Sequence, residues 1–462
     1  MASECFFKIK MNKKVLIIIE QSTNPVFLGH TVYLGPLYIL SYLEAKGVFA
    51  DFWDRQVDGH KKVNYADYDI VGFSVNVNNV KNSLKSAAIV KARHPAAQVV
   101  FGGPFATAYP EALIQSENID AVVAGEGEQT FFEYVSGTEK SQIKGLHFKE
   151  NGNVCFTGAR EWNKDLDSLP FPAIHRLERS KYNIFFSRQL PVSSIITSRG
   201  CPYKCTFCFH NMGHEWRERS PENVVDEIEW QVNKLGVKEL VIVDDNLTFN
   251  RDRAEKIFDE IIKRNIKVSI QCTNGIRADL LDRELLKKAH AAGVWVLSLA
   301  PETGSAKTLE KLNKRFKLDD VSRILKIAKE IGMATEVFLL VGLPWETESD
   351  LRETLQFAEI LGADFVTVSR FIPFPGIGLV DKKEEIDLKK FSDNSYVGST
   401  PGNDEKMRKI LAPFYFKFYL SPRRFFRVCK ILKFYSPSKL VQTHILKSLF
   451  LNFWTKLKNC FN

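Results

Sequence analysis

Apolar residues along this chain recur at two different periods, and the two kinds of stretch take turns. Lys14-Val-Leu-Ile-Ile-Ile19 is a short, β-branched, uninterrupted apolar run, the pattern of a strand buried on both faces. The stretch 34–46 carries Leu37, Leu40, Tyr42 and Leu43 at helical spacing and stops at Gly47. Strand patterns return at 49–53, 70–75, 98–101 and 121–123, with helical stretches between most of them. This alternation predicts an α/β architecture over residues 12–150, a doubly wound parallel sheet with right-handed crossovers. Ligands of such sheets sit outside the carboxyl ends of the strands. Those ends read Gly72-Phe-Ser74, Gly102-Gly103-Pro104 and Gly125-Glu126-Gly127-Glu128. Glycine there lets a ligand approach the backbone, although each pair taken singly is equally a tight turn.

Residues 151–190 lose the pattern. Asp165-Leu-Asp-Ser-Leu-Pro170-Phe-Pro172 combines turn formers with two prolines and reads as a linker. From Val192 the alternation resumes on a longer beat. Strands are predicted at 192–197, 240–243, 268–273, 294–299, 336–340 and 365–369, with helices between them. Six β/α units fall short of the eight of a closed barrel and predict an open, partial (β/α)6 barrel over 191–380. Residues 381–462 form a basic, aromatic-rich C-terminal segment.

Composition narrows the class. Of 462 residues, 45% are apolar and 26% charged, which excludes a wholly disordered chain. No apolar run approaches the roughly 18 residues of a membrane span, and the first residues lack the apolar core of a secretory signal. Eight cysteines are too few for a disulfide framework, so a reducing, cytoplasmic location is expected. The net charge is +9, yet residues 401–462 hold 13 Lys/Arg and 2 Asp/Glu, a local +11, which leaves −2 for the rest. A body without net positive charge argues against nucleic acid as a partner.

The strongest chemical signal is Ser198-Arg-Gly-Cys201-Pro-Tyr-Lys-Cys205-Thr-Phe-Cys208-Phe-His210, directly after the first strand of the second domain. C-x3-C-x2-C on one loop can turn three thiolates towards one centre, and Arg199 and Lys204 favour their ionisation. A structural zinc site needs a fourth ligand, which His210 could supply. A four-iron cluster needs only these three and leaves one iron open to a small molecule.

Several further motifs are collinear with this one over about residues 190–376. Cys201-x3-Cys205-x-Phe207-Cys208 resembles the signature of the radical S-adenosylmethionine (radical SAM) superfamily. Val243-Asp244-Asp245-Asn246 resembles the acidic end of its second strand, and Pro301-Glu302-Thr303-Gly304-Ser305 its turn after strand four. Val341-Gly-Leu-Pro344-Trp-Glu-Thr347 and Phe371-Ile-Pro373-Phe-Pro375-Gly376 resemble its later turns. The resemblance implies a 4Fe-4S cluster held by Cys201, Cys205 and Cys208. The open iron would chelate the amino and carboxylate groups of S-adenosylmethionine. One electron would then cleave that molecule to methionine and a 5′-deoxyadenosyl radical, which abstracts hydrogen from a substrate. It further implies that Glu302 accepts the ribose hydroxyls, that Gly342 and Leu343 line the adenine, and that Phe207 and Phe209 flank the cofactor. An electron donor such as a flavodoxin or ferredoxin is implied as well. Ala300-Pro301 before Glu302 departs from the family pattern.

Residues 12–150 resemble the cobalamin-binding domain that precedes many such barrels. That likeness implies cobalamin contacts at Gly72, Ser74, Gly102, Gly103, Gly125, Glu126 and Gly127. The D-x-H-x-x-G motif of a histidine lower ligand is missing after strand one, where the chain reads Gln21-Ser-Thr-Asn24-Pro-Val-Phe-Leu-Gly29-His30. His60 follows strand two in only half of that motif, and neither His30 nor His60 is expected to bind cobalt. The leading reading is a cobalamin-dependent C-methyltransferase. Two alternatives stay open: a radical SAM enzyme of non-methyl chemistry with a degenerate first domain, and a non-enzymatic iron–sulfur or zinc protein. The substrate, a small molecule or a lipid, is not readable from the chain. Residues 411–462 combine aromatics with Lys and Arg. They read as a helical cap whose cations snorkel to solvent, or as a segment making peripheral contact with an anionic membrane.

Overall fold

The computed structural model describes residues 13–22, 30–59, 62–184, 187–374, 377–379 and 404–435. Tail residues 436–462, His60 and Pro375-Gly376 lie outside the described residues. The described residues form two compact units, those within 13–22 and 33–177, and those within 30–32 and 178–435.

The first unit is built on β1 (Val15–Ile19), buried at every position as its apolar run requires. It lies between β2 (Ala50–Asp54) and β3 (Ile70–Ser74), and β4 (Gln98–Gly102) and β5 (Ala121–Val123) continue the parallel sheet. The order β2-β1-β3-β4-β5 is that of a doubly wound sheet, with the reversal between β1 and β3. Two antiparallel strands extend it, β6 (Leu146–Glu150) and β7 (Asn153–Phe156). The start of the stretch read as an irregular linker is therefore ordered sheet. Asn151 (φ 50°) and Gly152 (φ 80°) turn the hairpin, the Asn-Gly chemistry of a two-residue loop. As an edge strand with largely exposed side chains, β7 leaves little apolar pattern to read.

The second unit carries β8 (Val192–Ile195), β9 (Ser198–Arg199) and β10 (Arg217–Glu218). The remaining strands are β11 (Glu239–Ile242), β12 (Ser269–Ile276), β13 (Val294–Glu302), β14 (Ala334–Val341) and β15 (Phe365–Arg370). The six long strands pair in parallel in chain order, β8-β11-β12-β13-β14-β15, and β9 pairs with β10 alone. This is the predicted open (β/α)6 arrangement. Its helices begin on side-chain caps: Ser220 before Pro221, Asn250, Asp282, and Thr347 in a capping box with Asp350. Helix Arg251–Lys263 buries Ala254, Ile257, Phe258 and Ile261, one stripe at helical period, against the strands.

The free edge at β15 is covered by helices Asp404–Leu420 and Pro422–Tyr435. The Tyr419 hydroxyl donates to the Val366 carbonyl (3.0 Å) and accepts from its amide (3.2 Å), and Arg427 pairs with the fully buried Asp364. Phe414, Tyr415 and Phe418 enter the barrel core. This part of the tail is thus a cap, and covering an edge removes a template for unwanted strand pairing. Among the described residues no helix is long and apolar enough to cross a membrane.

Under the cysteine loop lies a buried ion pair. Arg219 donates to Glu227 (2.6 Å), to the Ile196 carbonyl (2.9 Å) and to Asn223 (2.7 Å), and Glu227 also accepts from Gln231 (2.9 Å). Glu227→Ala strands the guanidinium, and we expect a loss of about 3–5 kcal/mol, read as a lower urea midpoint. The apolar double variant Arg219→Met/Glu227→Leu is expected to lose much less. An unchanged midpoint for Glu227→Ala would show that the pair holds nothing.

Candidate active site at the mouth of the barrel

The cysteine loop starts where β8 ends. Thr197 and Ser198 are pinned to the buried carboxylate of Asp244 at the end of β11: Asp244 accepts from the Thr197 amide (2.6 Å) and hydroxyl (2.5 Å) and the Ser198 hydroxyl (2.6 Å). Gly200 follows at φ 84°, and a Cβ there would lie 2.2 Å from the Glu215 carbonyl oxygen, so only glycine passes. β9 and β10 close the base of the loop, and the Cys201 amide donates to Gly213 O (3.2 Å). The far side is tied to the segment after β13. Thr206 donates from its amide to Leu312 O (3.1 Å) and from its hydroxyl to Lys311 O (3.0 Å), and Asn313 donates to Lys204 O (2.8 Å).

Cys201 and Cys205 are half-buried and Cys208 is exposed within this concave mouth. Desolvation pushes all three thiols above their ordinary pKa. Repulsion from neighbouring cysteines adds to it for Cys201 and Cys208. Arg277 pulls Cys201 and Cys205 back down, and Lys314 does so for Cys205 and Cys208. Among the described residues no three His, Cys, Asp or Glu side chains gather around a single-ion point. His210 stacks instead on His214, with ring centroids 4.0 Å apart. Three thiols on one short loop with cations beside it fit the donor set of an iron–sulfur cluster, whose ligands are thiolates.

Glu302 ends β13 at φ 66°, and its carboxylate accepts from Lys314 (2.6 Å). Gly342 ends the neighbouring β14 at φ 82°. Its amide donates to Glu346 (2.6 Å), whose carboxyl burial pushes up to about 7 against the pull of the Gly342 and Leu343 amides. Leu343 shares one apolar cluster with Leu312, Leu340, Phe371 and Ile377, and Phe207 and Phe209 pack against it. Phe209 also stacks on Phe374 at 5.3 Å. Phe207, Phe209 and Leu343 are therefore brought together, with Glu302 on the adjacent strand end. Residues given no individual role from the sequence join them. Asp245, behind Cys201 and Cys208, is raised to about 6 by burial and by Asp244. Arg277 and Lys314 fall outside every quoted motif, and Glu346 lay within one without an assigned role.

In the first unit, Ser74, Gly102-Gly103 and Gly125-Glu126-Gly127 lie at the carboxyl ends of β3, β4 and β5, three neighbouring strands. Gly103 adopts φ 95°, and a Cβ there would come within 3.0 Å of Val75 O. A Cβ on Gly125 would meet nothing nearer than Trp162 at 3.8 Å, and Glu126 accepts from the Asn163 amide (2.9 Å). Gly125 leaves room at this edge, which suits the tail of a cobalamin, whereas Gly103 is small because the Val75 backbone passes it. Gly72 is the exception. It sits inside β3, where a Cβ would press on the Phe131 ring at 3.2 Å, so its small size serves helix packing and it leaves the set of ligand contacts. Gly127 similarly faces Ile39 (3.1 Å). After β1 the carboxylate of Glu20 is buried in bonds to Ser86 (2.6 Å) and Arg55 (3.1 Å), and His30 bridges to Asn183 within the second unit.

The family model described as the radical SAM superfamily matches residues 195–358, and that of the B12 binding domain matches residues 26–135. An uncharacterised methyltransferase of Pyrococcus horikoshii is 30% identical over 436 residues, 89% of this chain and 93% of that protein. An anaerobic magnesium-protoporphyrin IX monomethyl ester cyclase of Rubrivivax gelatinosus is 29% identical over 77% of this chain and 67% of its own length. Among solved structures, a radical S-adenosylmethionine methyltransferase from Kitasatospora setae, with cobalamin and an iron–sulfur cluster bound, matches with a TM-score of 0.65 at 18% identity. The match covers 80% of this chain and 74% of that one, and it shows a shared fold.

Two outcomes are expected at this site. The triple change of Cys201, Cys205 and Cys208 to Ala abolishes the brown chromophore and takes bound iron from about four per chain to near zero. Cys272→Ala keeps both, because Cys272 is a buried strand residue of the core. Glu346 binds its proton more tightly folded than unfolded, so its contribution is full at low pH and is lost as pH rises from about 4.5 to about 7. Wild type should therefore lose stability relative to Glu346→Gln across that window and no further above it. Parallel urea midpoints against pH would contradict this.

Proposed function

As this chain belongs to the radical SAM superfamily and carries a B12-binding domain ahead of its barrel, we propose that it is a cobalamin-dependent C-methyltransferase. The observation that carries this reading is the three-cysteine loop at the carboxyl end of the partial barrel, in a chain whose other unit presents small-residue strand ends. When bound, the cluster supplies the electron that splits S-adenosylmethionine to a 5′-deoxyadenosyl radical, and cobalamin supplies the methyl group. The protein's own residues hold and shield these groups. Cys201, Cys205 and Cys208 would ligate the iron. Glu302, on its backbone turn, would accept the ribose hydroxyls. Gly342 and Leu343 would line the adenine, and Phe207 and Phe209 would flank the cofactor as an apolar wall that excludes water. Ser74, Gly102, Gly103 and Gly125 would accommodate the cobalamin tail.

The substrate is a small molecule or a lipid, reached in the reducing cytoplasm, and the electron comes from a flavodoxin- or ferredoxin-like donor. A second reading, radical chemistry without methyl transfer, is favoured by the cyclase relative. The two separate without knowledge of the substrate. The full chain is purified anaerobically from cobalamin-supplied cells and incubated with a low-potential chemical reductant and S-adenosylmethionine labelled in its methyl group. The methyltransferase reading expects about one corrinoid per chain and label on that corrinoid. It also expects a reduced-cobalt spectrum without a nitrogen signature, unchanged by His30→Ala or His60→Ala. Cleavage of S-adenosylmethionine without corrinoid uptake or labelling would select the second reading.

A further inference from the structure

Two aromatic residues are interleaved with the cluster cysteines, Tyr203 between Cys201 and Cys205, and Phe207 between Cys205 and Cys208. Each is covered by a cation from a different strand end. Arg277, directly after β12, lies 3.9 Å from the Tyr203 ring centroid, and Lys314, beyond β13, lies 5.6 Å from that of Phe207. Both cations also flank one further ring, Phe316, at 5.5 and 5.8 Å. Neither is a mobile surface charge: Arg277 is 8% exposed and Lys314 6%. Arg277 is held in two bonds to Asp279 (3.1 and 2.9 Å), and Lys314 by Glu302 and the Ala300 carbonyl.

We propose that Arg277 and Lys314 are positioning residues that clamp the cysteine loop through Tyr203, Phe207 and Phe316 and raise the reduction potential of the cluster it holds. The clamp follows from geometry, since a cation over a ring face attracts it and is strengthened when both are desolvated. The effect on potential follows from charge. Reduction adds one electron to the cluster, and a nearby fixed cation stabilises the more negative state. The carboxylates that hold the two cations remain in the Gln variants, so each change leaves the surroundings of the loop one positive charge poorer. Asp279 is partly exposed to solvent, which screens it.

The proposal rests on the cluster assignment, and the two fail differently. A wild-type chain without any iron–sulfur chromophore sinks the assignment, whereas an intact cluster indifferent to these residues sinks the clamp. The test is an EPR-monitored redox titration of the reconstituted full chain without S-adenosylmethionine. Arg277→Gln and Lys314→Gln should each lower the reduced-to-oxidised ratio of the cluster about tenfold at a fixed potential, a shift of about 59 mV for one electron. Arg277→Lys, which keeps the charge, should stay near wild type. Phe316→Leu removes the shared ring without touching charge, and should leave the potential in place while the cluster is lost several-fold faster to a chelator. Alkylation of the cluster-free protein provides a readout should a variant fail to hold iron. Cys201, Cys205 and Cys208 should react several-fold faster in Phe316→Leu, whose charges are those of wild type, than in wild type, with the buried Cys272 still protected. Equal potentials in the Gln variants, or equal alkylation rates with Cys272 protected, would overturn the proposal.

Discussion

Asp244 is buried at the end of β11 and accepts an amide and two hydroxyls from Thr197 and Ser198, and the rest of the site hangs from that joint. A buried carboxylate is costly unless its oxygens are satisfied, so the chain leaving β8 can take only the path that supplies those donors. That path leads into Gly200, whose missing side chain lets the backbone pass the Glu215 carbonyl. From there the loop is tied down on its far side by Thr206 and Asn313. A flexible three-cysteine loop would have to be ordered each time it took up iron. One fixed at both ends is ordered by folding itself.

The open barrel makes this arrangement possible and also creates its main liability. Six parallel strands bring the ends of β11, β12, β13 and β14 to one face, so that Asp244, Arg277, Glu302 and Gly342 all lie at carboxyl ends. Leaving the barrel unclosed exposes the edge of β15. The chain answers with two further helices, a tyrosine hydroxyl bonded to both polar groups of Val366, and an arginine on Asp364. Of the tail aromatics, Phe414, Tyr415, Phe418 and Tyr419 are committed to this cap.

The first unit uses a different economy of shape. Its strands are short and its carboxyl edge is lined by glycines with distinct duties. Gly103 allows a close backbone approach to Val75, Gly125 leaves space, and Gly72 and Gly127 make room for Phe131 and Ile39. The same residue type at a strand end can thus serve a ligand or a neighbouring helix. The difference lies in what a Cβ would strike.

The elements of both units were legible in the sequence because hydrophobic pattern is local: β1 and the barrel strands follow from short apolar runs, and their helices from residues that repeat at 3.6. The cysteine triad was legible because its three members share one loop, and Glu302 and Gly342 because their turns are collinear with it. The β6–β7 hairpin was less so, since an exposed edge strand carries little pattern beyond its Asn-Gly turn. Gly72 could not be assigned from the chain, because its neighbour Phe131 lies 59 positions away. Arg277 and Lys314 are likewise two of 64 Lys and Arg in the sequence. Only the tertiary structure, by setting the ends of β12 and β13 side by side, buries both against Phe316 and aims them at the cysteine loop. A charge acquires its chemical meaning from distance and desolvation, and both are decided by how strands far apart in the chain pack together.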